Sequence, residues 1–279
     1  MIAFSLIFFH LASWASVNAS TTADYAGCGE VTVSKQEMNI QLPTNSCFLL
    51  RVDQELKNSF LQVQHRDQEI RLHQKDLPGM SWQAPSRDNG RELVDLSSLQ
   101  YPVVLVLRSK RRNGAPGSAR IGLLEGMQPL EHETLLSFSR AGQLTASDAE
   151  LDRQSAVEIY ESLLSQTQLS RSNQYWAKLH LACLKTDMGL AKEVLQLLEA
   201  ANDWWPNDPI MRLSAESLYA YALMQDRQLD RAHSHFKQLK TKIDKLKAGA
   251  RPPGLAIETR RVANNSCLLR LYQLSLIHI

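Results

Sequence analysis

A chain of 279 residues is long enough for two ordinary domains, and a composition 44% apolar and 22% charged excludes disorder as its default state. Its 31 Lys and Arg against 29 Asp and Glu leave a net charge of +2, which removes the electrostatic case for nucleic acid or an anionic membrane surface as the main partner.

The chain opens on an almost uncharged apolar run from Met1 to Val17, carrying Ile2, Phe4, Leu6, Ile7, Phe8, Phe9 and Leu11, before small and polar residues take over. That outline is a secretory signal peptide over residues 1–19, with Val17-Asn18-Ala19 placing cleavage after Ala19. The run carries no Lys or Arg and is interrupted by His10, so a buried N-terminal element is the alternative; it falls short of the about 20 apolar residues that a bilayer crossing needs. Export places the protein in the periplasm or outside the cell, where disulfides persist. Cys28 and Cys47 are the candidate pair, and closing that loop would stabilise the fold by roughly 3 kcal/mol. Free thiols are the alternative, as is lipidation of Cys28, because Tyr25-Ala26-Gly27-Cys28 resembles a lipobox. Cys183 and Cys267 stand among apolar neighbours on expected helices and read as buried free thiols.

From Val31 to about Leu124 apolar residues alternate or fall in short runs between turn formers, the pattern of strands. Met38 to Leu42, Cys47 to Val52, Phe60 to His65, Glu69 to His73, Glu92 to Leu96, Val103 to Leu107 and Ala119 to Leu124 are the expected strands, with Arg66-Asp67 as a hairpin turn and Gly114-Ala115-Pro116-Gly117 turning the chain into the last strand. Short strands at this spacing predict an antiparallel β-sandwich over residues 28–126. Residues 127–147 read as a linker.

The period changes at about Glu133, and from Leu151 onward apolar positions recur at steps of three and four, as for helices that bury one face. Tyr175, Trp176, Leu179, Ala182 and Cys183 form one stripe; Met211, Ala215, Leu218, Tyr219, Ala222 and Leu223 form another. Asp226 to Gln228 is too short for anything but a tight turn, so neighbouring helices must run antiparallel. Ala156, Ala191 and Ala232, separated by 35 and 41 residues, each open a helix, with Tyr160, Leu195 or Phe236 four positions later and Leu163, Leu198 or Leu239 three beyond. The fold class expected is therefore α+β in separate domains, the sandwich followed by an all-α helical-hairpin array over residues 148–279.

These repeats resemble the tetratricopeptide repeat family, whose unit is a helix-turn-helix of about 34 residues. The likeness covers roughly Ala149 to Leu246 and is incomplete: Thr186 and Arg227 stand where the family has its turn Gly, and its closing Pro is replaced by Asp203 and Asp244, though Pro206 stands near the first. The resemblance implies partner binding on the first helix of each unit, which maps onto Asn173, Trp176, His180, Tyr221 and Gln225. The order of parts, with Asn89-Gly90-Arg91-Glu92 ahead of a core strand, is also similar to the leading region of secreted bacterial proteins that end in a CHAT domain, a caspase-like peptidase module. The sandwich is similar to pre-peptidase C-terminal domains.

Chemistry is hard to find in the chain itself. No His-Cys context supports a caspase-like nucleophile, and there is no P-loop, Gly-x-Gly-x-x-Gly or Gly-x-Ser-x-Gly. His233 and His235 are two apart on a helix and face different ways, so they read as solvated; His65 and His73, on neighbouring expected strands, lack the further ligands a metal needs. No catalytic residue, cofactor or metal is expected. Trp204-Trp205 is the most unusual surface pair, either a recognition anchor or a cap on a hairpin end. Arg108, Lys110, Arg111 and Arg112 at an expected hairpin tip, and Lys237, Lys240, Lys242, Lys245 and Lys247 on one helix, read as solvated charge. The helical pattern runs into Ser275-Leu276-Ile277-His278-Ile279 with no stop signal, so a truncated array is expected. The leading expectation is an exported scaffold binding a protein or peptide. The alternatives are the non-catalytic leader of a CHAT-type peptidase and a glycan- or envelope-binding module.

Overall fold

The computed structural model describes residues 25, 27–34, 37–66, 68–82, 90–110, 117–199, 208–249 and 251–277. The expected signal peptide, Arg111 and Arg112, Asn89 and the Trp204-Trp205 pair lie outside them.

Nine strands precede seven helices among the described residues: β1 Gly29–Thr32, β2 Met38–Leu42, β3 Cys47–Val52, β4 Phe60–Arg66, β5 Glu69–Gln74, β6 Leu77–Trp82, β7 Gly90–Asp95, β8 Val103–Lys110 and β9 Gly117–Leu124. They form a five-stranded sheet in the order β1-β3-β8-β5-β6 and a four-stranded sheet in the order β2-β9-β4-β7. Alternation decides which side chains go inward. In β2, Met38, Ile40 and Leu42 join an apolar cluster fed by both sheets, with Leu50 and Leu107 from one and Leu61, Val94 and Ile121 from the other. Asn39 and Gln41 therefore face outward.

The helices are α1 Pro129–Thr145, α2 Glu150–Ser165, α3 Arg171–Asp187, α4 Ala191–Glu199, α5 Pro209–Gln225, α6 Leu229–Ala248 and α7 Leu255–Ile277. The α3–α4 and α5–α6 connections use one local solution. Leu190 N–H reaches back to Lys185 O at 2.8 Å, and Gln228 N–H to Leu223 O at 2.9 Å. The residue before each donor is left-handed, Gly189 at φ 76° and Arg227 at φ 63°. The structure thus aligns Arg227 with Gly189, where the repeat reading aligned it with Thr186.

The expected fold class is corrected in three respects. The protein is a mixed α/β chain whose two sheets do not close into a sandwich, and β1 runs parallel to β3. Strands and helices share a core instead of forming separate domains. Phe60 and Leu93 sit in one apolar cluster with Leu135, Phe138, Tyr160 and Trp176. Helix α1, occupying most of the stretch read as a linker, seals this joint: Ser139 Oγ accepts from Trp82 Nε1 at 3.2 Å and from Asp95 N–H at 3.3 Å. Finally, the helices do not establish a repeat array, for they range from 9 residues in α4 to 23 in α7.

Sheet membership also overturns the expected hairpins. β4 pairs with β7 and β9, whereas β5 pairs with β6 and β8, so the Arg66-Asp67 connection crosses between sheets. The connection from β8 to β9 crosses likewise, which removes the hairpin tip assigned to Arg108 and Lys110. At the start of β9, Gly117 leaves room for the buried Gln68 side chain, whose Cγ would lie 2.2 Å from an added Cβ.

Candidate functional site

The outer face of the four-stranded sheet is covered unequally. Its β7 side lies under α1 to α3, and its β2 side opens into a cleft of about 420 Å³ walled by α3 and α5. Strand register builds the floor. Asn39 pairs with Arg120, Arg120 with Gln64, and Gln64 with Arg91, so these four side chains stand in one row across β2, β9, β4 and β7. The next row places Ser118 beside Arg66. Asn39, Gln64, Arg66, Ser118 and Arg120 all line the cleft.

The walls are the first turns of two helices and the apolar residues behind them. Helix α3 is capped by Ser170 Oγ, which accepts from Asn173 N–H at 3.2 Å. It contributes Ser172, Tyr175, Trp176 and Leu179. Helix α5 is capped by Asp208 Oδ1, accepting from Ile210 N–H at 2.9 Å and Met211 N–H at 3.1 Å, with Pro209 at its first position. The other oxygen of Asp208 accepts from Arg66 Nη2 at 2.6 Å. One carboxylate thus caps α5 and pins it to β4. On the opposite rim Glu37 holds Arg120 only loosely, at 3.7 Å with both side chains more than half exposed.

Behind Trp176 lies a buried cationic joint. Arg91 is 8% exposed, and its Nη1 and Nη2 both donate to Asn173 Oδ1 at 3.2 Å. Its guanidinium carbon stands 4.9 Å from the Phe138 ring centre and 5.6 Å from that of Trp176. Burial pushes its pKa down to about 10, against the smaller opposing influence of Tyr160 and Glu92. Next to Trp176, His180 Nδ1 and the Tyr160 hydroxyl share a 2.9 Å hydrogen bond. Burial, chiefly, raises the Tyr160 pKa, so its hydroxyl stays protonated.

The partner-binding candidates consequently divide. Asn173, Trp176 and His180 are drawn into this joint, and of the three only Trp176 also borders the cleft. Tyr221 and Gln225 lie farther along α5, where Tyr221 packs half-buried against a different cluster. Burial raises its pKa, with Tyr272 and Asp187 adding to the effect and a hydrogen bond from Gln225 opposing it. Trp204 and Trp205 lie outside the described residues. Cys28 and Cys47 are joined by a disulfide. Cys183 is a buried free thiol, but Cys267 is exposed on α7, contrary to the expectation of burial.

The histidines also differ from expectation. His65 and His73 lie on different sheets. His65 is buried, with Nδ1 2.9 Å from Gln68 O and Nε2 3.3 Å from Glu92 Oε1, so both ring nitrogens are engaged structurally. His235 is not simply solvated; it packs 4.9 Å from the Tyr219 ring.

Sequence reasoning missed the cleft floor. Asn39, Gln64 and Arg120 look like ordinary outward residues of three strands, and only the register of β2, β9 and β4 brings them together. Among the described residues there is no group of three or more His, Cys, Asp or Glu able to hold a metal ion, and no helix long and apolar enough to cross a membrane. Leu268, Leu271, Tyr272 and Leu274 form a second exposed surface, apolar, on α7. Neither the protein-family models nor the curated proteins compared with the chain match it.

Proposed function

We propose that this chain is an exported protein-interaction module that holds a segment of a partner polypeptide in the cleft between the four-stranded sheet and helices α3 and α5. The observation that carries the reading is the floor row of Asn39, Arg120 and Gln64 beside the apolar wall of Tyr175, Trp176 and Leu179. Side-chain amides offer a donor and an acceptor to a peptide group, and a guanidinium offers a planar fork of donors. Pockets of roughly 300–1,000 Å³ with a few convergent polar groups against apolar walls are the usual form of binding sites. The site also stands on strands and helices with capped ends, which keeps it in place before a ligand arrives. Export is supported by the Cys28–Cys47 disulfide and by the apolar character of residues 1–17.

A photo-reactive amino acid at Gln64 in the full chain tests the reading, with the same group at exposed Lys240 as control. The expected result is a cross-linked partner peptide, located by mass spectrometry, from position 64 and not from position 240. Equal adducts from both positions would count against the cleft.

A further inference from the structure

The charges around the cleft do not balance. Three guanidiniums stand on one face of the sheet within two adjacent rows, Arg91 and Arg120 in the first and Arg66 in the second. Asp208 and Glu37 are the carboxylates in direct contact with them, and both are compromised as partners; buried Glu92 is engaged by His65 and acts on Arg91 only through space, and Glu258, behind Ser214, is paired with Arg261. Asp208 is divided between Arg66 and the first amides of α5, and Glu37 reaches Arg120 only at 3.7 Å. Among the described residues no carboxylate hydrogen-bonds Arg91; the neutral oxygen of Asn173 takes both of its terminal nitrogens.

The wall adds to this field. Helix α3 carries no acidic residue in its first turn, where Ser172 borders the cleft, so the positive end of its peptide dipoles is uncompensated there. Burial of Arg91 behind Trp176 keeps its charge in a poorly screened setting. Neutral amides and hydroxyls flank Arg120 along the floor, so the most accessible guanidinium stands in the middle of a hydrogen-bonding row.

We propose that the cleft selects a carboxylate-bearing segment of a polypeptide, an Asp or Glu side chain paired with Arg120 and an adjacent apolar residue resting on Trp176, Leu179 and Met211. The inference rests on the polypeptide-binding reading above and adds the chemistry of the ligand. Arg120 takes the carboxylate as a forked pair. Asn39 and Gln64, one strand away on either side at about 4.8 Å, reach the neighbouring peptide groups.

The test titrates the full-length chain with three blocked hexapeptides, alternating Glu-Leu, Gln-Leu and Lys-Leu, and with inorganic phosphate, by calorimetry at low salt. The Glu peptide is expected to bind about tenfold or more tighter than the Gln peptide, the Lys peptide weakest, and the advantage to shrink in 0.5 M salt. Arg120→Gln should abolish the Glu-over-Gln preference, the Glu peptide losing at least tenfold more affinity than the Gln peptide. Thermal unfolding of that variant should match the parent. Equal affinity for Glu and Gln peptides would overturn the acidic preference and leave the polypeptide cleft standing. So would a preference that survives in both Arg120→Gln and Arg66→Gln. Phosphate displacing the Glu peptide at equal concentration would overturn the assignment of a polypeptide carboxylate in favour of a simple anion subsite. No binding by any peptide would overturn both the preference and the reading beneath it.

Discussion

The two halves of the outer face of the four-stranded sheet begin from the same strand geometry and end in opposite states. Around β7 the sheet presents Phe60, Leu93 and Arg91, and helices α1 to α3 close over all three. Toward β2 it presents Asn39, Gln64 and Arg120, and the helices stand off to leave a cleft. The difference follows the side chains. Apolar groups on the β7 side give the helices surface to bury, and the guanidinium among them is accepted because Phe138, Trp176 and Asn173 surround it. Amide and charged groups on the β2 side would lose solvation with nothing gained, so that half stays open and available to a ligand that can pair with it.

Substitutions should separate the sealed half from the open one. The largest effect is expected from Phe60→Ala, which empties a fully buried site between β4 and the helices and should cost about 3–5 kcal/mol in urea unfolding. A loss below about 1 kcal/mol would show that the helices do not depend on the sheet for their core. Asn173→Ala comes next, at about 2 kcal/mol, because it strips the buried Arg91 guanidinium of its acceptor. Asn173→Asp should recover that stability or exceed it.

The outer face of the five-stranded sheet offers a comparison under pH control. Burial, helped by Arg108 and Arg71, lowers the pKa of His73 to about 4 from an ordinary value of 6.5. Between these two values the unfolded chain binds a proton that the folded chain refuses, so stability falls as pH drops from 6.5 to 4 and is unaffected by His73 above that window. His73→Gln should flatten this acid-side slope in unfolding measurements at pH 7, 5.5 and 4.5; an unchanged slope would remove His73 from the account. The smallest effect belongs to the open half. Arg120→Gln should change stability by less than about 0.5 kcal/mol, since its ion pair with Glu37 is long and exposed.

Alternation made several strands legible. β2 and β3 fall where the pattern placed them, at Met38–Leu42 and Cys47–Val52. β6, Leu77–Trp82, was not among the expected strands; it contains Pro78 and Gly79, residue types that strand interiors disfavour. Partners were hidden for a deeper reason: alternation tells which face a side chain takes, but not which strand lies beside it. Consecutive strands here mostly change sheets, so the expected hairpins were wrong although their strands were right. The helical stripes were legible for the same local reason, and α1 was not, because its buried set includes Thr134, Ser139 and Gly142. The candidate site suffered most. Arg120 and Gln64 are 56 residues apart and acquire meaning only through register.

The central claim, that the open half of this face holds a polypeptide segment, is tested most directly by amide hydrogen exchange of the full chain with and without the Glu-Leu peptide. Protection is expected in β2, β9 and the first turn of α3, with none added on α7. Protection confined to the exposed apolar surface of α7 at Leu268 to Leu274, or no change in β2 and β9 at saturating peptide, would contradict it.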